Sequence, residues 1–242
     1  MKETDILIIG GGLTGLTLNY LLQGHNRSVT LIEARDRLGG RIHTIQSSNG
    51  PPVEMGATWL GPEHRRLQVL LENLGLNTFK QMLGNKAIYE PNSMSPHQIV
   101  ALPPNQAASF RIQGGTSSLI QSLAKAMKSP NLYMNRKVQS ISENGQYLLV
   151  HSGNETFKAG IVASTLPPKL FDTTIEVKPT LPDELRSVMA KTHTWMGESI
   201  KFSLSFSAPF WRKENSSGTV FSNVGPITEM YDHSDFNDNR YA

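Results

Sequence analysis

Three glycines govern what the N-terminal part of this chain can fold into. Gly10, Gly12 and Gly15 stand in G-x-G-x-x-G spacing. The apolar run Asp5-Ile6-Leu7-Ile8-Ile9 precedes them, and residues 16–22 follow with helical spacing. A short, continuous apolar run suits a strand buried on both faces of a parallel sheet. Gly24 supplies a helix stop, and residues 28–33, SVTLIE, read as a second strand. This is one βαβ unit, about 30 residues long. In such a unit the first glycine permits the tight turn. The second lets the backbone approach a pyrophosphate, and the third lets helix and strand pack. The loop, with Leu13 and Thr14 inside it, opens a helix whose free N–H groups and partial positive charge attract phosphate. Glu33 ends the second strand eighteen residues after Gly15, where a carboxylate can accept bonds from ribose hydroxyls. Strand, glycines, helix, strand and acid coincide, so the unit reads as holding the ADP half of a dinucleotide. The fingerprint alone does not separate NAD from FAD.

The remaining pattern is mixed. Residues 64–74 read as an amphipathic helix closed by Gly75, and a second helix runs from Thr116 to a stop before Pro130. Residues 84–109 are rich in Pro, Asn and Ser and read as an irregular connection. Strand-like runs at 132–141, 146–151 and 155–158 are separated by Asn144-Gly145 and Gly153-Asn154, which predicts a β-meander. GIVAST at 160–165 reads as a further buried strand closed by Pro167-Pro168. Residues 181–192 begin like a helix, with Pro182 near the first turn. SIKFSLSF at 199–206 alternates as a half-buried strand should, and the polar tail after 231 reads as loop.

Composition removes several functions. The formal net charge is +3, carried by scattered basic residues, so nucleic acid is not an expected partner. The chain has no cysteine, which excludes disulfides, thiolate chemistry and a cysteinyl link to a cofactor. The seven histidines form no H-x-x-x-H or H-E-x-x-H, so no metal site is expected. Glu3 and Asp5 interrupt any basic signal region, and no run approaches the ~20 apolar residues of a membrane span. The expectation is a cytoplasmic protein with no membrane segment in this chain.

The residues after the second strand are more specific. Glu33-Ala34-Arg35-Asp36-Arg37-Leu38-Gly39-Gly40-Arg41 closely resembles a run found in flavin-containing amine oxidases, a family that includes monoamine oxidases and related protoporphyrinogen oxidases. The resemblance continues through Glu54-Met55-Gly56-Ala57-Thr58-Trp59-Leu60-Gly61-Pro62. It returns at Gly114-Gly115, Arg136-Lys137-Val138, Ser164-Thr165-Leu166-Pro167-Pro168, Ile200-Lys201 and Pro209-Phe210-Trp211. The resemblance implies FAD, with the pyrophosphate at Gly10 to Gly15 and the adenosine ribose at Glu33, and Ala34 beside it among the cofactor-binding residues. Arg35 and Arg41 would lie along ribose and phosphates, and Arg suits bidentate phosphate contact. Gly39 and Gly40 would let the chain pass close to the cofactor. Gly56, Ala57, Thr58 and Trp59 would approach the ribityl chain and flavin ring, and Val138 would meet the adenine through its backbone. Without cysteine the FAD is expected to be non-covalent.

Within SIKFSLSF, Ile200, Phe202, Leu204 and Phe206 share one face and Lys201, Ser203 and Ser205 the other. Lys201 stands ten residues before Trp211, an offset similar to that of the lysine which holds a water near the flavin N5 in many amine oxidases. The resemblance implies that Lys201 is the catalytic lysine, orienting water or O2 beside the reduced flavin. Periodicity by itself favours a lysine on a wet strand face; the Trp211 offset and the other matching blocks reverse that.

Two departures from the family pattern matter. The stretch between Lys80 and Phe110 is short, which implies a smaller or more open substrate cavity. The family's C-terminal block, with its Gly-Glu signature, has no counterpart before Ala242. The resemblance therefore implies an incomplete oxidase: a fragment, a truncated product, or a chain completed by a second polypeptide or a homodimer. The fold expected is α/β, a Rossmann-like FAD-binding domain with a partial α+β substrate domain on a mixed sheet. Residues 1–79 and 110–170 would form the discontinuous FAD-binding domain, and 80–109 and 171–242 the substrate domain. The function implied is an FAD-dependent oxidoreductase taking hydride from the C–N bond of a small amine, with O2 as oxidant and H2O2 as product. A protoporphyrinogen oxidase or carotenoid desaturase-like enzyme, and a flavin-binding subunit without turnover, remain alternatives.

Overall fold

The computed structural model describes residues 1–46, 52–81, 84–103, 107–127, 131–195, 197 and 199–234. The expected helix stop at Pro130 and most of the expected tail loop lie outside the described residues. The chain divides into two compact units, Met1–Ile42 with Leu119–Ile200, and His43–Ser118 with Lys201–Ala242. These bounds differ from the expected division, because residues 43–79 and 110–118 group with the second unit and 171–200 with the first.

The first unit is built on a mixed seven-stranded sheet. Its strand order is Glu176–Lys178, Ser140–Asn144, Tyr147–Ser152, Glu155–Ser164, Lys2–Ile9, Val29–Ile32 and Leu132–Tyr133. Lys2–Ile9 runs parallel to both neighbours. Leu7, Ile8 and Ile9 are all buried, as a strand covered on both faces requires. Leu7 and Ile9 join Ile32, Val138, Ile141, Val150, Phe157 and Ala159 in one core. Ile8 points to the opposite face, the side chains of a strand alternating. Leu16, Leu119 and Leu123 of the helices Leu13–Leu22 and Ser117–Ala126 are fully buried. Each such side chain contributes about 2 kcal/mol by leaving water.

The expected meander is present as Ser140–Asn144, Tyr147–Ser152 and Glu155–Ser164, all antiparallel. Two boundaries are corrected. The run 132–141 breaks into Leu132–Tyr133, which pairs with Val29–Ile32, and the separate strand from Ser140. Asn135, at a left-handed φ of 57°, interrupts it. GIVAST, up to Ser164, is the second half of a ten-residue strand, whose first half pairs with the meander and which pairs with Lys2–Ile9 from Phe157 to Ser164. That second half is only partly buried, because the meander ladder ends at Ala159. A helix not expected from sequence, Pro168–Thr174, follows Pro167.

The second unit carries a four-stranded sheet ordered Glu229–Met230, Ser216–Ser222, Lys86–Glu90 and Gln98–Ala101. The stretch expected to be irregular thus holds an antiparallel hairpin, with Ile88 opposite Ile99. Its Pro, Asn and Ser lie between and beside the strands and hid their short alternation. Met230, Val220, Ile88 and Ile99 stand in register across all four strands as one apolar row, and Ile99 is 67% exposed. Two ribbons, Thr44–Ile45 with Val53–Glu54 and Thr78–Lys80 with Phe110–Ile112, complete the unit with the helix Arg65–Asn73.

The expected strand at 199–206 is not formed. Residues 199–205 lie outside any strand, and only Phe206 makes a bridge. Alternation alone cannot hold a strand; its backbone groups need a ladder partner. The stripe read as core-facing is open instead, with Ile200 at 80%, Phe202 at 76% and Leu204 at 69% exposure.

Candidate functional site

In the first unit the glycine loop folds as its spacing requires. Gly10 adopts φ +108°, and its N–H donates to the Ile32 carbonyl at 2.8 Å. Thr165 locks the loop from the far strand, its hydroxyl reaching the Ile9 carbonyl at 2.9 Å and the Gly10 carbonyl at 3.2 Å. Gly12 caps the helix with no side-chain hydrogen bond, and the first turn holds no acidic residue. The N–H groups at this helix start are therefore open to an anion.

The run after the second strand folds back over this turn. Gly39 N–H donates to the Gly11 carbonyl at 2.8 Å, and Gly12 bridges to Gly39. A Cβ placed on Gly12 would meet only the Gly39 carbonyl at 3.9 Å and the Gly40 Cα at 4.0 Å. A narrow cradle with backbone walls is left there. Arg37, which sequence reasoning passed over, fixes the loop. Its guanidinium donates to the Leu38, Gly40 and Ile42 carbonyls at 3.0 to 3.3 Å. Arg35 and Arg41, by contrast, are exposed, and Arg41 donates to the Trp195 carbonyl at 3.4 Å.

Glu33 is 7% exposed. Its Oε2 accepts the Gly11 N–H at 2.7 Å and its Oε1 the Arg35 N–H at 2.9 Å. Each oxygen keeps a lone pair for a further donor. The Arg136 and Asn135 N–H groups donate to the Glu33 and Arg35 carbonyls at 2.9 and 3.0 Å, which brings the segment leading to Val138 alongside. Val138 itself sends its side chain into the core. Ala34, Thr14 and Leu13 lie at or near the surface of this cluster. Glu33→Ala would strand the Gly11 and Arg35 N–H groups. Chemical denaturation should show a loss of about 2 kcal/mol, with a smaller loss for Glu33→Gln.

The second unit carries the rest of the expected residues. Lys201 Nζ donates to the Gly56 carbonyl at 2.5 Å and to Thr58 Oγ1 at 3.0 Å. Thr58 Oγ1 in turn donates to Gly56 at 3.1 Å. Burial lowers the Lys201 pKa below its ordinary value, with Glu54 pulling the other way. An ammonium has three N–H donors, so two bonds leave one for a ligand or water. Lys201 is therefore held without a strand around it. Ala57 is exposed, and Trp59 is no core aromatic: it is 46% exposed and meets Tyr231 edge-on at 4.8 Å.

Behind this turn lies a buried polar network. The Glu54 carboxylate accepts the Thr116 N–H at 2.5 Å and the Thr44 hydroxyl at 3.0 Å. Gly115, at φ +95°, allows the approach, since a Cβ there would stand 3.0 Å from the carboxylate. Arg111, His233 and Asp232 belong to the same network. Nothing in their spacing points to it, for residues 111 and 232–233 come from distant parts of the chain.

These clusters can be set against known proteins. A family model described as flavin containing amine oxidoreductase matches residues 13–93 and 92–239. A probable flavin-containing monoamine oxidase A from Dictyostelium discoideum is 23% identical over 339 aligned positions, spanning 98% of this chain and 73% of that protein. Amine oxidase B of Mus musculus is 40% identical over 79 residues, which is 33% of this chain but 15% of the mouse protein. Among solved structures, wild-type putrescine oxidase bound to putrescine superposes with TM-score 0.81 at 20% identity, covering 99% of this chain and 74% of that one. Cyclohexylamine oxidase from Brevibacterium oxydans gives TM-score 0.81 at 16% identity over 98% and 74%. At such identities the structures establish the fold, α/β and Rossmann-like. The family model, matching across most of the sequence and in its order, establishes kinship: the chain belongs to the flavin-containing amine oxidoreductases.

Proposed function

We propose that the chain is the FAD-holding part of an amine oxidase, and that Lys201, hydrogen-bonded to Gly56 and Thr58, is its catalytic cation. That lysine, partly desolvated yet held in place, is the observation that carries the reading. The residues present fit the cofactor: an uncapped helix start beside the Gly12 cradle suits a pyrophosphate, and the Glu33 carboxylate suits ribose hydroxyls. Arg35 and Arg41 are exposed cations suited to the phosphates, and Ala34, Gly39, Gly40 and Val138 supply close backbone. Gly56, Ala57, Thr58 and Trp59 would serve the ring end. The absence of cysteine supports non-covalent FAD.

Bound flavin would supply the acceptor for the hydride on the amine-bearing carbon, and O2 would take up the electron pair to give H2O2. The chain's own contribution is positional. Lys201 would present its remaining N–H to water or O2, and its fixed charge would favour negative charge developing on oxygen. With FAD reconstituted, Lys201→Met should slow reoxidation by roughly 100-fold while FAD stays bound. Stopped-flow absorbance reads both quantities. If no small amine bleaches the flavin anaerobically, the oxidase reading is lost. A flavin-binding subunit without turnover is the second reading. The unladdered segment around Lys201, with Ile200, Phe202 and Leu204 exposed, favours it.

A further inference from the structure

His233 is a buried titratable side chain that the reading above leaves unused. Its Nε2 accepts the Glu54 N–H at 3.2 Å. In a neutral imidazole that accepts at Nε2, the proton sits on Nδ1. The residue is tied down through its backbone as well. Arg111 Nη1 donates to the His233 carbonyl at 2.9 Å and to the Ser234 carbonyl at 3.2 Å. Ser234 N–H donates to Asp232 at 2.9 Å, and Gln81 Nε2 reaches the Asp232 carbonyl at 2.5 Å. Burial, then the charges of Arg111 and Lys201, push the imidazole down to about 3, against the pull of Asp232. A protonated ring would add a third cation to the charges of Arg111 and Lys201 and could no longer accept the Glu54 N–H.

Glu54 joins the His233 ring to the turn that holds Lys201. Its carboxylate is fixed by the Thr116 N–H and the Thr44 hydroxyl, and its backbone N–H by His233. Two residues on stands Gly56, whose carbonyl accepts the Lys201 ammonium at 2.5 Å. The Met55 N–H, between them, donates to the His43 carbonyl at 2.8 Å. Loss of the imidazole would free the middle of this chain of bonds, not its ends.

We propose that His233 is a positioning residue for Lys201: as a neutral acceptor for the Glu54 N–H it fixes the turn bearing the Gly56 carbonyl, and so sets where the ammonium stands. The inference builds on the role proposed for Lys201, yet its test needs neither flavin nor turnover. Failure to oxidise any amine would therefore leave the test intact.

The readout is the titration of Lys201 in the flavin-free chain, followed by trace acetylation with acetic anhydride at a series of pH values and peptide mass spectrometry. Short unstructured lysine peptides carried through the same reactions serve as standards. His233→Leu should move the Lys201 midpoint upward, toward those standards, as the ammonium leaves its partly desolvated position. His233→Gln, whose amide oxygen can accept where Nε2 does, should keep the wild-type midpoint. A folded His233→Leu variant with an unchanged midpoint overturns the proposal, as does a Gln variant displaced as far as the Leu variant. Should the Leu variant fail to fold, the wild-type chain decides through the ¹⁵N shifts of the His233 ring. An unprotonated Nε2 supports the proposal, and a proton on Nε2 overturns it.

Discussion

Gly15→Ala should cost about 3 kcal/mol of stability, the upper end for an overpacked site, and abolish flavin retention with it. A Cβ on Gly15 would stand 1.9 Å from the Gly10 carbonyl oxygen and 3.2 Å from Thr165 Oγ1. Neither can give way cheaply. Gly10 is pinned by its own N–H bond to Ile32 and by the Thr165 hydroxyl. The helix Leu13–Leu22 would have to lift from the sheet, uncovering Leu16, which is fully buried. Against a total of about 5–15 kcal/mol, that is a large fraction. Urea denaturation followed by circular dichroism measures it. Gly12→Ala is the matched control. Its φ of −77° suits alanine, and its Cβ would meet nothing closer than 3.9 Å. It should fold with the wild-type midpoint and yet lose FAD, because the methyl occupies the cradle. If Gly12→Ala retains FAD as the wild type does, the pyrophosphate does not lie there.

Acid should destabilise the chain well before its carboxylates titrate. His233 has an unfolded pKa near 6.5 and a folded one of about 3. A depressed folded pKa means that the unfolded state takes up the proton first. Stability is thus complete above about pH 6.5 and is lost progressively as pH falls toward 3, on the order of 5 kcal/mol in all. Asp232 adds a later loss. Burial tends to raise its pKa, but the bonds from Arg212 and Ser234 outweigh that and hold it below the ordinary value. Its contribution is present above about pH 4 and disappears below. Unfolding free energies measured at steps from pH 7 to 4, where His233 and not Asp232 dominates, should slope downward in the wild type and run nearly flat in His233→Gln. Equal slopes would mean that another group carries the acid response.

How far such features can be read from sequence depends on how local their causes are. The βαβ unit was legible because its determinants lie within one stretch: Leu7 to Ile9 for burial, Gly10 and Gly15 for close approach, Glu33 for the acceptor. The meander was legible from Asn144-Gly145 and Gly153-Asn154, which turn at Gly145 and Gly153 with positive φ. Lys201 was found through resemblance, and its alternating neighbours misled. Periodicity says which side chains share a face, not whether a neighbour will supply the ladder. The hairpin at Lys86–Glu90 and Gln98–Ala101 was missed for a related reason, since strands of five and four residues carry few alternating positions. Arg37, Thr165 and His233 could not be singled out. Arg37 looks like any charged loop residue, and the other two act on positions 155 or more residues away.

The open row from Met230 through Val220 and Ile88 to Ile99, with Phe202 and Leu204 bare nearby in sequence to Lys201, bears on how the molecule will respond to fluorescent probes of greasy surface. Such dyes brighten on contact with exposed apolar groups, and native monomers ordinarily offer them little. This chain should light them while folded, giving a high cold baseline and a shallow rise on heating. The shift in melting temperature caused by FAD will therefore be visible in ellipticity or in the flavin's own emission, where a dye-based melt would show almost none of it.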